Sequence, residues 1–89
     1  MTLDRDAIKS RIRTKVAELS AALGHDDPHG LADDEILPAT GLLDSAALLE
    51  LVVWYEAEFD LPLKQEEINV DNLGSIDAMA DYLIARKMT

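Results

Sequence analysis

The 89-residue chain contains no cysteine. That excludes disulfides, thiolate metal centres and cysteine nucleophiles together. Basic residues are scarce: eight Lys and Arg stand against 18 Asp and Glu, for a net charge of −10. Such a charge repels nucleic-acid phosphates and anionic lipid headgroups and favours partners with basic docking surfaces. Long hydrophobic runs are also missing. The longest, Leu51 to Tyr55, is far too short to span a bilayer. Met1 to Arg13 is charged throughout and has no apolar run of the targeting kind. No internal repeat or low-complexity tract occurs. A cytoplasmic monomer that contacts neither nucleic acid nor membrane is the expectation. What is present is a chain that is 48% apolar, too hydrophobic for a disordered tail. Its length suits one domain over residues 1–89, with a modest core and little room for a deep substrate pocket.

The pattern predicts helices and no strands. Ile8, Ile12, Val16, Leu19 and Leu23 form one apolar stripe at helical spacing, so a first helix is expected over about 4–23. Asp4 and Asp6 suit its positive end, and Gly24 the position just past its C-terminus. Residues 24–44 read as a loop rich in Asp, Gly and Pro, with Leu31, Ile36, Leu37, Leu42 and Leu43 as its pins. An ordered loop of this length in a small domain is uncommon and often functional. A second helix is expected over about 45–59, with Ser45 as its N-cap. Leu48, Leu51, Val52, Tyr55 and Phe59 share its core side. Ala46, Glu50, Val53, Trp54 and Ala57 lie on the other. A helix that is apolar nearly all round is usually buried, yet so small a domain has little material to cover both faces. The second face is therefore a candidate partner surface. Pro62 ends this helix. A short helical turn is expected over about 64–68, a connection over Asp71 to Gly74, and a last helix over about 75–87. Ser75 caps that helix, Ile76, Met79, Ala80 and Leu83 face inward, and Arg86 and Lys87 sit at its negative end.

The stretch that carries chemistry is Gly41-Leu42-Leu43-Asp44-Ser45. A serine in the first turn of a helix exposes its hydroxyl beside free backbone amides and the positive end of the dipole, a favourable field for a phosphate. The two leucines are expected to anchor the loop, and Asp44 adds a charge suited to recruiting a cation or a basic partner.

At these residues the chain resembles the acyl carrier and peptidyl carrier protein family. Leu37-Pro38-Ala39-Thr40-Gly41-Leu42-Leu43-Asp44-Ser45 is similar to the family's loop and attachment site. Glu50-Leu51-Val52 and Glu56-Ala57-Glu58-Phe59 are similar to its second helix, and Ile76-Asp77-Ala78-Met79-Ala80-Asp81-Tyr82-Leu83 to its last. The resemblance implies an all-α four-helix bundle with a long loop between helices 1 and 2 and a short third helix. It implies a non-catalytic carrier whose Ser45 receives 4'-phosphopantetheine from coenzyme A through a phosphopantetheinyl transferase. The arm's thiol then holds an acyl or aminoacyl group as a thioester, loaded by a ligase and passed to a downstream transferase or synthase. Asp44, Ala46, Glu50, Val53 and Trp54 are the expected recognition residues. Ala46 and Ala47, where the family usually has a larger apolar residue and often an acid, and the apolar Val53, Trp54 and Ala57 depart from general fatty-acid carriers. The form is more similar to stand-alone carriers of dedicated pathways, such as aminoacyl carriers.

Two rival functions share parts of this pattern. An arm-free helical interaction module has the same fold and face. A small hydrolase would use Ser45 as nucleophile, but neither His25 nor His29 has an evident link to it. Those histidines, with Asp26, Asp27 and Asp33 nearby, lie in a loop that contains Pro and Gly instead of on a rigid frame, and they read as surface residues more than as metal ligands. Met79 and Met88 need no role beyond packing and a chain end.

Overall fold

Asp4 starts the first helix. Its carboxylate accepts the Asp6 amide at 3.1 Å, satisfying one of the donors that a helix N-terminus leaves open. From there the computed structural model, which describes residues 4–24, 32–41 and 43–87, forms five α-helices. They are α1 (Arg5–Ala22), α2 (Leu37–Thr40), α3 (Ser45–Glu58), α4 (Val70–Leu73) and α5 (Ile76–Lys87). A single 3₁₀ turn, Gln65–Glu67, precedes α4. No strand occurs among the described residues, and no helix there is long and apolar enough to cross a membrane.

The core follows the stripes. Ile8, Ile12, Val16 and Leu19 of α1 are buried against Ala47, Leu51, Tyr55 and Phe59 from α3 and its end, and against Ile76, Met79, Ala80 and Leu83 of α5. Tyr55 buries its ring and donates its hydroxyl to the Met79 carbonyl at 2.8 Å, so the one polar atom it takes inside has a partner. Burial pushes its pKa upward. Leu23 does not continue the stripe: it caps α1 and is 41% exposed, because Gly24 turns away at φ 86°. Met88, His25 to Leu31 and Leu42 lie outside the described residues.

Two stretches expected as connections contain a helical turn. α2 falls inside the expected loop, with Pro38 in its first turn and Gly41 at φ 75° ending it. α4 replaces the expected connection over Asp71 to Gly74, because the Asn69 side chain accepts the Asn72 amide at 2.9 Å and caps a new turn.

Ion pairs lace the seam between α1 and α5. Arg5 meets Asp81 at 2.7 Å and Asp77 at 3.0 Å, and Lys9 meets Asp77 at 3.0 Å. Near the 3₁₀ turn, Glu67 accepts from Tyr82 and pairs with Arg86, joining that turn to α5.

Candidate functional site

The path to Ser45 is fixed at several points. Leu37 is buried, and its amide donates to the Gly74 carbonyl at 2.7 Å, tying the loop to the junction of α4 and α5. Gly74 itself has no room to change. A Cβ there would stand 2.2 Å from the Val70 carbonyl oxygen. Thr40 Oγ1 donates back to the Leu37 carbonyl at 2.7 Å. Gly41 then takes the left-handed conformation that other residues adopt at a cost, and Leu43 is buried. Of the other expected pins, Ile36 is exposed instead.

The N-cap of α3 is Asp44, one residue before the expected Ser45. Asp44 has extended backbone angles, and its Oδ1 accepts the Ala47 amide at 2.8 Å while its carbonyl accepts the Leu48 amide at 2.9 Å. Aspartate and serine cap about equally well, so two adjacent candidates leave the choice to the chain's approach angle. Ser45 therefore occupies the first helical position and is exposed. Its hydroxyl is not used as the cap, and the Ser45 and Ala46 amides have no intrahelical acceptor. A phosphoryl oxygen on Ser45 would sit beside these donors and the helix's positive end. The capped Asp44 carboxylate next door works in the opposite sense.

On the outward side of α3 the structure brings together Ala46, Glu50, Val53 and Trp54, four of the expected recognition residues. With Leu49 and Lys15 of α1 they line a shallow depression of about 550 Å³. Val53 is 58% exposed and Leu49 63%. Trp54 is half-buried at the border of this face, edge-on to Phe59 with ring centroids 5.7 Å apart. It serves the core and the surface at once. Leu49 was missed by the sequence argument although it lies four before Val53 and three after Ala46, spacings that share a helix face. Lys15 carries no such local signal, since only the packing of α1 on α3 brings it there.

A second, smaller depression of about 160 Å³ opens beside the core edge of α3, between Leu48, Val52, Pro38, Ile68 and Val70. The charge pattern adds a broader feature. No Lys or Arg occurs between Lys15 and Lys64, so the loop and α3 form an uninterrupted acidic stretch. Among the described residues no group of His, Asp and Glu is placed to hold a metal ion. Asp33, grouped with the histidines in sequence, instead pairs with Lys9 at 2.6 Å and with Arg13. The Lys9 hydrogen bond, then that of Arg13, holds its carboxyl below the usual range.

Comparison with known proteins yields no significant match to a family model, to a curated protein or to a solved structure.

Proposed function

We propose that this chain is a carrier and not a catalyst, a helical bundle of the four-helix carrier type. Residues 24–44 with α2 form its long connection and the turns around α4 its short third helix. Ser45 receives a 4'-phosphopantetheine arm when its Oγ displaces the adenosine bisphosphate half of coenzyme A at phosphorus and gives up its proton. The arm supplies the thiol that a chain without cysteine lacks, and through it an acyl or aminoacyl group is held as a thioester.

The observation that carries this function is the exposed Ser45 at the first position of α3, with its neighbour Asp44 doing the capping. The residues present fit a phosphodiester there: a solvent-facing serine, two open first-turn amides and a loop anchored by Leu37 and Leu43. Asp44, Ala46, Leu49, Glu50, Val53 and the exposed part of Trp54 form the face read by the phosphopantetheinyl transferase, the loading ligase and the downstream acceptor. That face is more apolar than a uniformly acidic helix, which favours a dedicated cytoplasmic pathway with its own partners.

Incubation with coenzyme A and a broad-specificity phosphopantetheinyl transferase tests the assignment. The expected result is a mass gain of one arm in the wild type and none in Ser45→Ala. An unmodified wild type, under conditions that convert a known carrier, refutes it. The arm-free interaction module would then remain, favoured by the exposed Leu49 and Val53.

A further inference from the structure

We infer that the arm carried by Ser45 rests along the outward face of α3, an inference that deepens the carrier function proposed above and rests on it. Ser45, Leu49 and Val53 stand four residues apart on α3 and form one exposed row on its surface. Beside that row lies the depression of about 550 Å³, lined by Ala46, Leu49, Glu50, Val53 and Trp54 and by Lys15 of α1. It begins at Ala46, the residue next to the attachment point. Its other end on α3, Trp54, is nine residues from Ser45, about 14 Å along the helix. The arm's main chain has about twelve bonds, as many as about four amino-acid residues, and spans about 14 Å when extended. An arm laid along the row therefore brings its thiol to Trp54 and Lys15.

The chemistry of this face matches that of the arm, which alternates apolar carbons with a hydroxyl and two amides. Exposed Leu49 and Val53 offer cover for the methyl and methylene groups. Glu50 offers an acceptor for an amide N–H and Lys15 a donor for an amide carbonyl. Both are available: Glu50 has no ion pair among the described residues, and the Lys15 ammonium stands 3.7 Å from Glu18. The other depression beside α3, of about 160 Å³, is smaller, and of its lining side chains only Asn69 is polar. An arm laid there would bury its amides with few partners. On the outward face the tether makes the contact intramolecular, so weak contacts suffice to populate it. A partner that reads this face takes the arm's place on it, so docking frees the thiol.

The test compares the wild type before and after arm attachment by two-dimensional NMR of its amides, methyl groups and the Trp54 indole. Coenzyme A and a broad-specificity phosphopantetheinyl transferase supply the arm. Trp54 is the sole tryptophan, so its emission gives a second reading. The expected result is a set of shift changes that runs from Ala46 through Leu49 and Val53 to Trp54 and Lys15. Nuclear Overhauser contacts are expected between the arm's paired methyls and those of Leu49 or Val53. Val53→Glu places a charge in the middle of the exposed row, away from the core, and in its arm-bearing form the Leu49 and Trp54 shifts are expected to return toward the arm-free values. Shift changes confined to residues 43–47 overturn this inference alone. So do changes centred on Leu48, Val52, Ile68 and Val70, which would put the arm in the smaller depression. A wild type that is never modified overturns the carrier function and this inference with it.

Discussion

The two longest helices treat their polar faces in opposite ways. α1 carries Arg5, Lys9, Arg11, Arg13 and Lys15, and each of them pairs with a carboxylate. α3 carries no cation. One of its acids, Glu58, answers Arg11 at 2.7 Å, and another, Glu56, accepts the Leu63 amide at 3.3 Å. Glu50 has no ion pair among the described residues and stands between exposed Leu49 and Val53. α1 thus pairs its cations within the domain and acts as a scaffold. α3 buries one face and leaves the other, apolar and acidic, exposed. The serine that starts α3 sits at the end of that open face.

The largest expected effect separates the two faces of α3. Leu51→Ala, from the 2%-exposed side, is expected to cost about 2–5 kcal/mol in urea denaturation. Leu49→Ala, from the open side, should stay within about 0.5 kcal/mol. Similar losses in the two variants would mean that the outward face belongs to the core, and the contrast between α1 and α3 would collapse.

A smaller effect sharpens the account of the helix start. Asp44→Ala should lose about 1 kcal/mol, the usual worth of an N-cap, and Ser45→Ala clearly less. If the serine variant loses as much as the aspartate variant, the hydroxyl is engaged in capping and is not free.

The smallest effect concerns the ion-paired seams. The carboxyls of Asp33 and Asp81 are held below the ordinary 3.8, chiefly by hydrogen bonds from Lys9 and Arg5 respectively. That of Glu67 lies below 4.5, chiefly through the Tyr82 hydroxyl. In each the folded value is lower than the unfolded one. The stabilisation is therefore complete above the ordinary carboxylate range and disappears as pH falls through it and then through the folded values. Stability should decline modestly between about pH 6 and pH 3, and high salt should weaken chiefly the part due to the exposed Asp81. Arg5→Gln should flatten the decline. An unchanged slope in that variant would show that the seam holds no special charge interaction.

What the sequence made legible was whatever rests on local chemistry. The α1 stripe and its Asp4 start, the end of α3 before Pro62, and the Ser75 cap of α5 all depend on neighbours within four residues. Ser75 Oγ accepts the Ala78 amide at 3.0 Å as expected. The one-turn helices α2 and α4 had weaker local marks, Pro38 with Gly41 and Asn69 with Asn72, and no stripe long enough to announce them. The position of the serine was legible to within one residue, since Asp44 and Ser45 compete for one cap on nearly equal terms. The ion pairs of Asp33 were not legible, because Lys9 and Arg13 on α1 are distant in the chain and meet it only after packing. Trp54 fell between the two faces, and a helical wheel alone does not say which side of such a border a ring will lean toward.

The most direct measurement is the intact mass of the protein purified from the cells that make it, followed by fragmentation around residue 45. A phosphopantetheine-sized addition localised to Ser45, with a loaded species above it, is the predicted result. A chain that leaves those cells with a bare serine, while their other carriers bear the arm, would contradict the central claim.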